Sequence, residues 1–450
     1  MAWGLAAVGR AADGPPPLPA ADPDIVQMLA QISAERIQRS VFVLSSFKTR
    51  HTLSDPDPGG DGIGAAEGWI RTQMQKPIAD AAGRLTVTED SFLQPPQPPR
   101  LPQEVRITNI VATLAGSRAG SARRIYVVSA HYDSRVRDIL DATSPAPGAD
   151  DDASGVAAVL ELERVMARSE FPATIVFLAV AGEEQGLLGS AHWARAARAR
   201  GADIEGMLND DIIGNSRGPG GTYARDRVRL FAQGVPPASE WTPDVMAQIE
   251  TGGQNDLPAR QLARAILDCA RVYTPDMDVR LVYRADRYLS GGDQISFLDQ
   301  GYPAVRFTEP WEDYTREHED VRTVDGVDYG DVPDGVDYVD IANVARVNGA
   351  ALAALARAPA PPRAAEIETA RLENSTTLRW QPNHEPDLAG YRIVWRDTTA
   401  PFWQHYQDVP PGRVRVTLPV NKDDVVFGLE AFDSAGHISQ AVYPEPQRAP

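Results

Sequence analysis

The 450-residue chain predicts an α/β fold: a three-layer α/β/α sandwich around a mixed, largely parallel sheet, followed by a small all-β sandwich domain. Three observations predict it. Beyond Arg124, apolar β-rich runs alternate with helical runs, the pattern of a sheet covered on both faces. Pro359-Ala360-Pro361-Pro362-Arg363 then breaks the alternation, as a proline-rich linker does. The runs after it are short, rich in Val, Thr, Tyr and Trp, and separated by turn residues, which is the pattern of a sandwich.

Composition limits the function. With 43% hydrophobic residues, 24% charged residues and a net charge of −18, the chain is soluble and long enough for more than one core. The acidic excess argues against nucleic acid and against an anionic membrane surface, both of which need a cationic patch. Lys48, Lys76 and Lys422 are the only lysines, a bias that carries no function. Cys269 is the only cysteine, so an intrachain disulfide and thiolate metal sites are excluded. No stretch reaches the roughly 18 uninterrupted apolar residues of a membrane span.

Residues 1–21 read as a disordered tail or a signal-peptide remnant, because Met1-Ala2-Trp3-Gly4-Leu5 has no positive flank before its short apolar run. Domain one is expected over 22–358. Asp22 as N-cap with Pro23 behind it opens a helix running through Ile25, Leu29, Ile32, Ile37 and Val41. A second helix is predicted around Ala65 to Met74, with strands at Arg84 to Val87 and Val105 to Leu114. Then come the strand from Arg124 to Ala130, the helix from Val156 to Met166, the strand from Thr174 to Val180, the helix from Leu187 to Ala199 and a short apolar approach to Asp211. Leu262 to Val272, Val279 to Tyr283 and Ala304 to Phe307 resume the pattern. An Ala/Leu-rich helix from about Val336 to Ala356 closes it.

After the linker at 359–363, residues 364–450 form the second unit, with strands at Thr377 to Trp380, Gly390 to Trp395, Val414 to Leu418 and Val425 to Phe432. Trp380, Gly390-Tyr391 and the ending Ala431-Phe432-Asp433-Ser434-Ala435-Gly436 make it similar to a fibronectin type III module. This β-module is a candidate for binding a surface or a polypeptide, and Trp395, Phe402, Trp403 and Tyr406 are its candidate aromatic surface, with Trp395 better suited to the core. An accessory module of that kind would leave activity on small substrates intact when removed.

The chemistry sits in the first unit. In an open parallel sheet, ligands gather outside the carboxyl ends of the strands. His131, Glu183 and Asp211 each follow an apolar strand-like run, and His318 follows one by a loop. Asp151 lies in Asp150-Asp151-Asp152, on a turn before a helix. Taken singly these have bland explanations: a surface His-x-Asp pair, helix capping by acids, a solvated Glu183-Glu184 turn, an ion-paired His318. Together they assemble carboxylates and imidazoles with no thiol, a donor set for divalent ions, zinc first.

Ser129-Ala130-His131-Tyr132-Asp133-Ser134, Gly148-Ala149-Asp150-Asp151-Asp152-Ala153-Ser154-Gly155, Ala181-Gly182-Glu183-Glu184-Gln185-Gly186-Leu187-Leu188-Gly189-Ser190 and Asn209-Asp210-Asp211-Ile212-Ile213-Gly214 resemble the M28 family of zinc aminopeptidases. The resemblance spans about 35 to 358 and is strongest from 124 to 214. It implies two zinc ions: His131 and Asp211 on one, Glu184 and His318 on the other, Asp151 bridging them. It also implies Asp133 as the residue orienting His131 through its far ring nitrogen, Glu183 as general base, and a cis peptide bond between Asp151 and Asp152. Two such ions share a water and acidify it, and Glu183 takes its proton.

The implied substrate is the N-terminus of a peptide or protein, and the implied location is secreted, periplasmic or extracellular, of bacterial type. Two departures stand out. Asp210 fills a position usually apolar in the family, which leaves a one-residue shift of the ligand open, although Ile212-Ile213-Gly214 favours Asp211. Gly291-Gly292-Asp293-Gln294 stands where many members carry Ser-Asp-His. Tyr288 is the candidate oxyanion donor, with Tyr314 as competitor. The alternatives are a single-zinc glutaminyl-cyclase-like acyltransferase and a noncatalytic receptor-like protein that binds through its β-module. His51 and His192 read as structural.

Overall fold

The computed structural model describes residues 12–288, 290–370 and 373–447. Residues 1–11 of the expected tail lie outside that range. Of the rest, β1 (Ala12–Asp13) pairs antiparallel with a strand of the β-module, at Tyr406 and His405. Pro17 also offers its carbonyl to Arg392.

Asp22 caps α1 (Pro23–Leu29) by accepting from the Asp24 amide. The single helix expected from Asp22 to Val41 is two: the chain breaks after Ala30, and Ser33 caps α2 (Ala34–Ser46) through its hydroxyl. The Ser33 amide donates to buried Glu161 at 2.9 Å. A serine acceptor followed by acidic Glu35 is a start signal that the unbroken apolar period concealed. α3 (Ile63–Gln75) follows.

Eight strands make the main sheet: β2 (Leu85–Gln94), β3 (Val105–Leu114), β4 (Arg124–His131), β5 (Thr174–Val180), β6 (Asp203–Asp210), β7 (Arg227–Ala232), β8 (Asp278–Val282) and β9 (Ala304–Thr308). Their order is β2-β3-β5-β4-β6-β9-β7-β8. The centre β5-β4-β6-β9 is parallel throughout, while β2, β3 and β7 introduce antiparallel pairings. Between the strands run α4 (Ala153–Met166), α5 (Leu188–Ala199), α6 (Pro243–Glu250), α7 (Pro258–Tyr273) and α8 (Gln294–Leu298), and α9 (Tyr338–Arg357) closes the unit. One core packs α1, α2, α4, α7 and α9 on one face of the sheet; a smaller one packs α5 and α8 on the other. Every residue of β5 is buried, which is why that strand reads as an unbroken apolar run. β7, α6, α8 and the hairpin β10 (Arg322–Val324) and β11 (Val327–Tyr329) are not among the elements expected from sequence, and all are short.

The remaining strands, β12 (Glu366–Ile367), β13 (Thr376–Arg379), β14 (Leu388–Asp397), β15 (His405–Val409), β16 (Arg415–Leu418), β17 (Val425–Asp433) and β18 (Glu445–Pro446), form two small sheets, β16-β13-β12-β18 and β1-β15-β14-β17. Trp380, Tyr391, Trp395 and Phe427 fill the core between them.

The two units are bonded to each other. Arg118 forks onto Asp387 at 2.7 and 2.8 Å, and buried Arg396 reaches buried Asp256. His437 joins Asp433 (2.8 Å) to Asp22 (3.0 Å), and Asp22 also receives Arg357. Burial alone would lower the His437 pKa, but Asp433 and Asp22 raise it; Asp387 is the other carboxylate nearby. A histidine raised on folding contributes stability that is complete below its unfolded value of about 6.5 and is lost as pH rises through the folded value. His437→Ala is therefore expected to lower Tm more at pH 6 than at pH 9.5. Equal losses in thermal scans at both pH values would assign the contribution to packing alone.

Candidate metal centre

The four central strands end side by side, and each delivers donors just past its last residue. β4 ends on His131, β6 runs into Asp211, the turn after β5 carries Glu183 and Glu184, and a longer loop after β9 brings His318. The Asp211 amide still donates to the Phe307 carbonyl at 3.2 Å, which extends the β6-β9 ladder to Asp211 itself. Asp151 arrives on the turn before α4, and the Asp151-Asp152 peptide is cis, as the family resemblance implied.

These residues meet. His131 Nε2 lies 3.1 Å from Asp151 Oδ1 and 3.8 Å from Asp211 Oδ1. His318 Nε2 lies 2.8 Å from Asp151 Oδ2 and 3.2 Å from Glu184 Oε1. The two oxygens of Asp151 thus face different imidazoles, one in each donor group. His131, Asp151, Glu184 and Asp211 are each at most 5% exposed, so the cluster lies below the surface with His318 as its more open side. Anionic and imidazole donors this close, shielded from water, fit a divalent zinc ion, which takes imidazole nitrogen and carboxylate oxygen together.

The electrostatics agree. Burial alone would push the Asp151 carboxyl up, yet His318 and His131 hold it well below the usual carboxylate range. Burial would likewise lower His131, but Asp133, Asp151 and Asp211 raise it well above the ordinary imidazole value. The carboxylates therefore create a demand for positive charge at this spot. Glu183 behaves oppositely: burial, then Asp211, Glu184 and Asp293, push its carboxyl well up against the pull of His131.

Supporting contacts fix each donor. His131 Nδ1 lies 3.2 Å from the Asp133 main-chain carbonyl and 3.7 Å from its carboxylate Oδ1, so the carbonyl is the nearer acceptor. The Asp133 carboxylate instead accepts from the amides of Glu183 (3.3 Å) and Glu184 (3.1 Å), holding the turn that presents both. Asp152, the N-cap of α4, accepts from the amides of His131, Ile212 and Gly155, and so ties the ends of β4 and β6 to the helix. Ile212 has φ +58°, a left-handed conformation that costs a β-branched residue about 1–2 kcal/mol. The Asp152 acceptor on its amide and the Thr308 hydroxyl on its carbonyl (3.0 Å) hold it there.

Arg306 is the residue that sequence reasoning missed most clearly. It is fully buried in β9 and pairs with Asp211 at 3.0 Å and Asp286 at 2.9 Å. An arginine inside the apolar run Ala304-Val305-Arg306-Phe307 was the available signal, since a lone charge in a buried strand needs a partner. Arg135, also missed, donates to Glu184 Oε2 (2.8 Å), and its guanidinium lies 2.6 Å from His318 Nδ1.

Asp210 turns away from the donors. Its carboxylate takes the amide of Asn348 on α9, and burial raises its pKa to about 7. Asp211, not Asp210, faces His131. In the Gly291-Gly292 segment a Cβ at Gly292 would lie 2.8 Å from Asp211 Oδ2, so glycine lets the main chain pass the ligand. Tyr288 is 83% exposed and its hydroxyl accepts from Arg284 at 2.9 Å; Tyr314 is 71% exposed and donates to Glu312. Among the described contacts, neither joins the cluster. His51 staples loops, accepting from Leu53 on Nδ1 and facing the Ile139 carbonyl with Nε2. His192 stacks on Phe92.

Imidazole and carboxylate donors at the carboxyl ends of parallel strands make a divalent-metal site in a sheet of the α/β/α class. The chain belongs to peptidase family M28, whose model matches residues 109–354. It is 44% identical to a probable zinc metalloprotease of Leptosphaeria maculans over 95% of this chain and 98% of the relative. It is 43% identical to a probable zinc metalloprotease of Pyrenophora teres f. teres, over 99% of this chain and 91% of that one. Among solved structures, LapB from Legionella pneumophila aligns at a TM-score of 0.51 and 17% identity over 76% of this chain and 77% of its own. The LapA aminopeptidase of the same organism aligns at 0.50 and 18%, over 78% and 77%. The chain is a zinc metallopeptidase of this family.

Proposed function

We propose that this metallopeptidase is a dizinc aminopeptidase, removing residues from the free N-terminus of peptides or proteins. The observation that carries the reading is Asp151, whose two oxygens address His131 at 3.1 Å and His318 at 2.8 Å: one bridge between two donor groups. Asp211 belongs to the first group and Glu184 to the second. Zinc, when bound, supplies Lewis-acid polarisation of a carbonyl and a water acidified toward neutrality.

The chain's own residues do the rest. Glu183 is half-buried at the rim of the cluster with a raised carboxyl pKa, suited to accept a proton from water and release it to the leaving amine. Asp133 keeps Glu183 and Glu184 in register through their amides. Arg306 neutralises part of the charge on Asp211 and fixes its position. The excess of carboxylates favours a cationic α-amine over a neutral blocked terminus. A complete set of five donors supports this reading over a single-zinc cyclase and over a noncatalytic receptor.

Exhaustive chelation is expected to abolish hydrolysis of aminoacyl amides, and added Zn2+ to restore it. In the same assay, peptides with an acetylated N-terminus should survive intact. Full activity after chelation would remove the metal from the mechanism, and internal cleavage of the acetylated peptides would replace the exopeptidase by an endopeptidase.

A further inference from the structure

We infer that Glu317 is a fourth protein donor to the metal position formed by Asp151, Glu184 and His318. The inference rests on the two-metal reading and makes its two halves unequal. A carboxylate oxygen of Glu317, one of Asp151 and a ring nitrogen of His318 lie within 4.8 Å of one another. The Glu317 side chain is 11% exposed. Its Oε1 lies 3.3 Å from Arg287 Nη1, whereas Oε2 is shut from water and has no hydrogen-bond partner. A buried carboxylate oxygen without a donor calls for a cation. The nearest place for one is the metal position.

The neighbouring sequence explains why this glutamate and not the next one takes the role. Glu319 is no more exposed, at 10%, but its carboxylate is already paired with Arg137 and Arg322. His318, between them, has φ +56°, a left-handed turn at which Glu317 and His318 both reach Asp151. Zinc holds oxygen and nitrogen donors at about 2.0–2.2 Å in a tetrahedron, so donors on one ion lie about 3.5 Å apart.

The consequence is a division of labour. Structural zinc sites have four protein donors, and catalytic ones keep a position open beside three. With Glu317, the His318 side has four: Asp151, Glu184, Glu317 and His318. The other side has three: His131, Asp151 and Asp211. The closed side holds its ion and contributes charge.

The test is a zinc titration of the full-length chain against a chromophoric chelator, repeated with Co2+ to read coordination from the visible spectrum. Wild type is expected to take up two equivalents, and E317Q to bind one of them at least about tenfold more weakly with an altered Co2+ spectrum for that equivalent. E312Q removes an equal charge from the other glutamate that Arg287 contacts and should retain both affinities. Unchanged metal binding in E317Q overturns the inference, and if KM for free-amine substrates then rises, Glu317 is a substrate contact. The same loss in E312Q also overturns it, because charge alone would account for the effect. A wild type that binds a single equivalent overturns the two-metal reading itself, and is told apart by needing no variant.

Discussion

Glu183→Gln is expected to lower kcat for aminoacyl amide hydrolysis by at least about a hundredfold, the lower end of what a positioned general base contributes, while zinc content stays at the wild-type level. The separation of the two readouts is the point. Glu183 and Glu184 are adjacent, and both amides are held by Asp133; only Glu184 faces His318, at 3.2 Å. The amide of glutamine is nearly isosteric with the carboxyl and leaves the turn intact, but it cannot accept a proton near neutral pH. Glu184→Gln should do the reverse and release metal before it affects anything else. Zinc analysis of the purified variants beside their kinetics decides between the roles. Metal loss from the Glu183 variant would make that residue a ligand, and wild-type turnover would remove it from the reaction.

The cluster was legible in part because an acid or a histidine just past an apolar run lies at a strand's carboxyl end, and four adjacent parallel strands bring such ends together. That rule covers His131, Glu183 and Asp211; the choice of His131, Asp151, Glu184, Asp211 and His318 as the donors came from the resemblance to the M28 motifs. What supports them was not legible, because it depends on pairs far apart in sequence. Arg306 meets Asp286 and Asp211, and Arg135 meets His318 across 183 positions. Glu317 was hidden differently, since among Glu317, Glu319 and Asp320 nothing local tells the carboxylate beside Asp151 from the one paired with Arg137 and Arg322. Tyr288 is the candidate oxyanion donor by sequence, and its place on the surface against Arg284 is set by a loop whose course no periodicity encodes. The helix break at Ser33 was missed because an apolar period of 3.6 continues across it.

The other large effect concerns the junction between the units. Arg396→Ala is expected to destabilise the chain by about 3–5 kcal/mol, the usual loss when one member of a buried ion pair is removed. Arg396 is 1% exposed and its partner Asp256 is 0% exposed. Asp256 also binds Arg264 at 2.8 Å and accepts from Gln261, so one carboxylate from the peptidase unit joins a cation of its own helix to a cation of the β-module. Trp403 lies between the two guanidinium groups, 5.6 Å from Arg264 and 5.7 Å from Arg396, in keeping with a cation attracted to an aromatic face. That places Trp403 inside the junction and away from any solvent-facing binding surface. Removing Arg396 alone leaves Asp256 with less compensation in a dry setting. Arg396→Met with Asp256→Asn should recover part of the loss, because the amide still accepts from Arg264 and the thioether fills the space. Denaturant unfolding of wild type, Arg396→Met, Asp256→Asn and the double variant closes the cycle that measures this as a non-additive pair. By the same reasoning, cutting the chain at the 359–363 linker exposes Asp256, Arg264 and the His437 clasp partners Asp22 and Arg357 at once. The peptidase unit alone should then unfold at a markedly lower temperature than the whole chain, contrary to the behaviour of a detachable accessory; an unchanged Tm for the truncated protein would restore the accessory role.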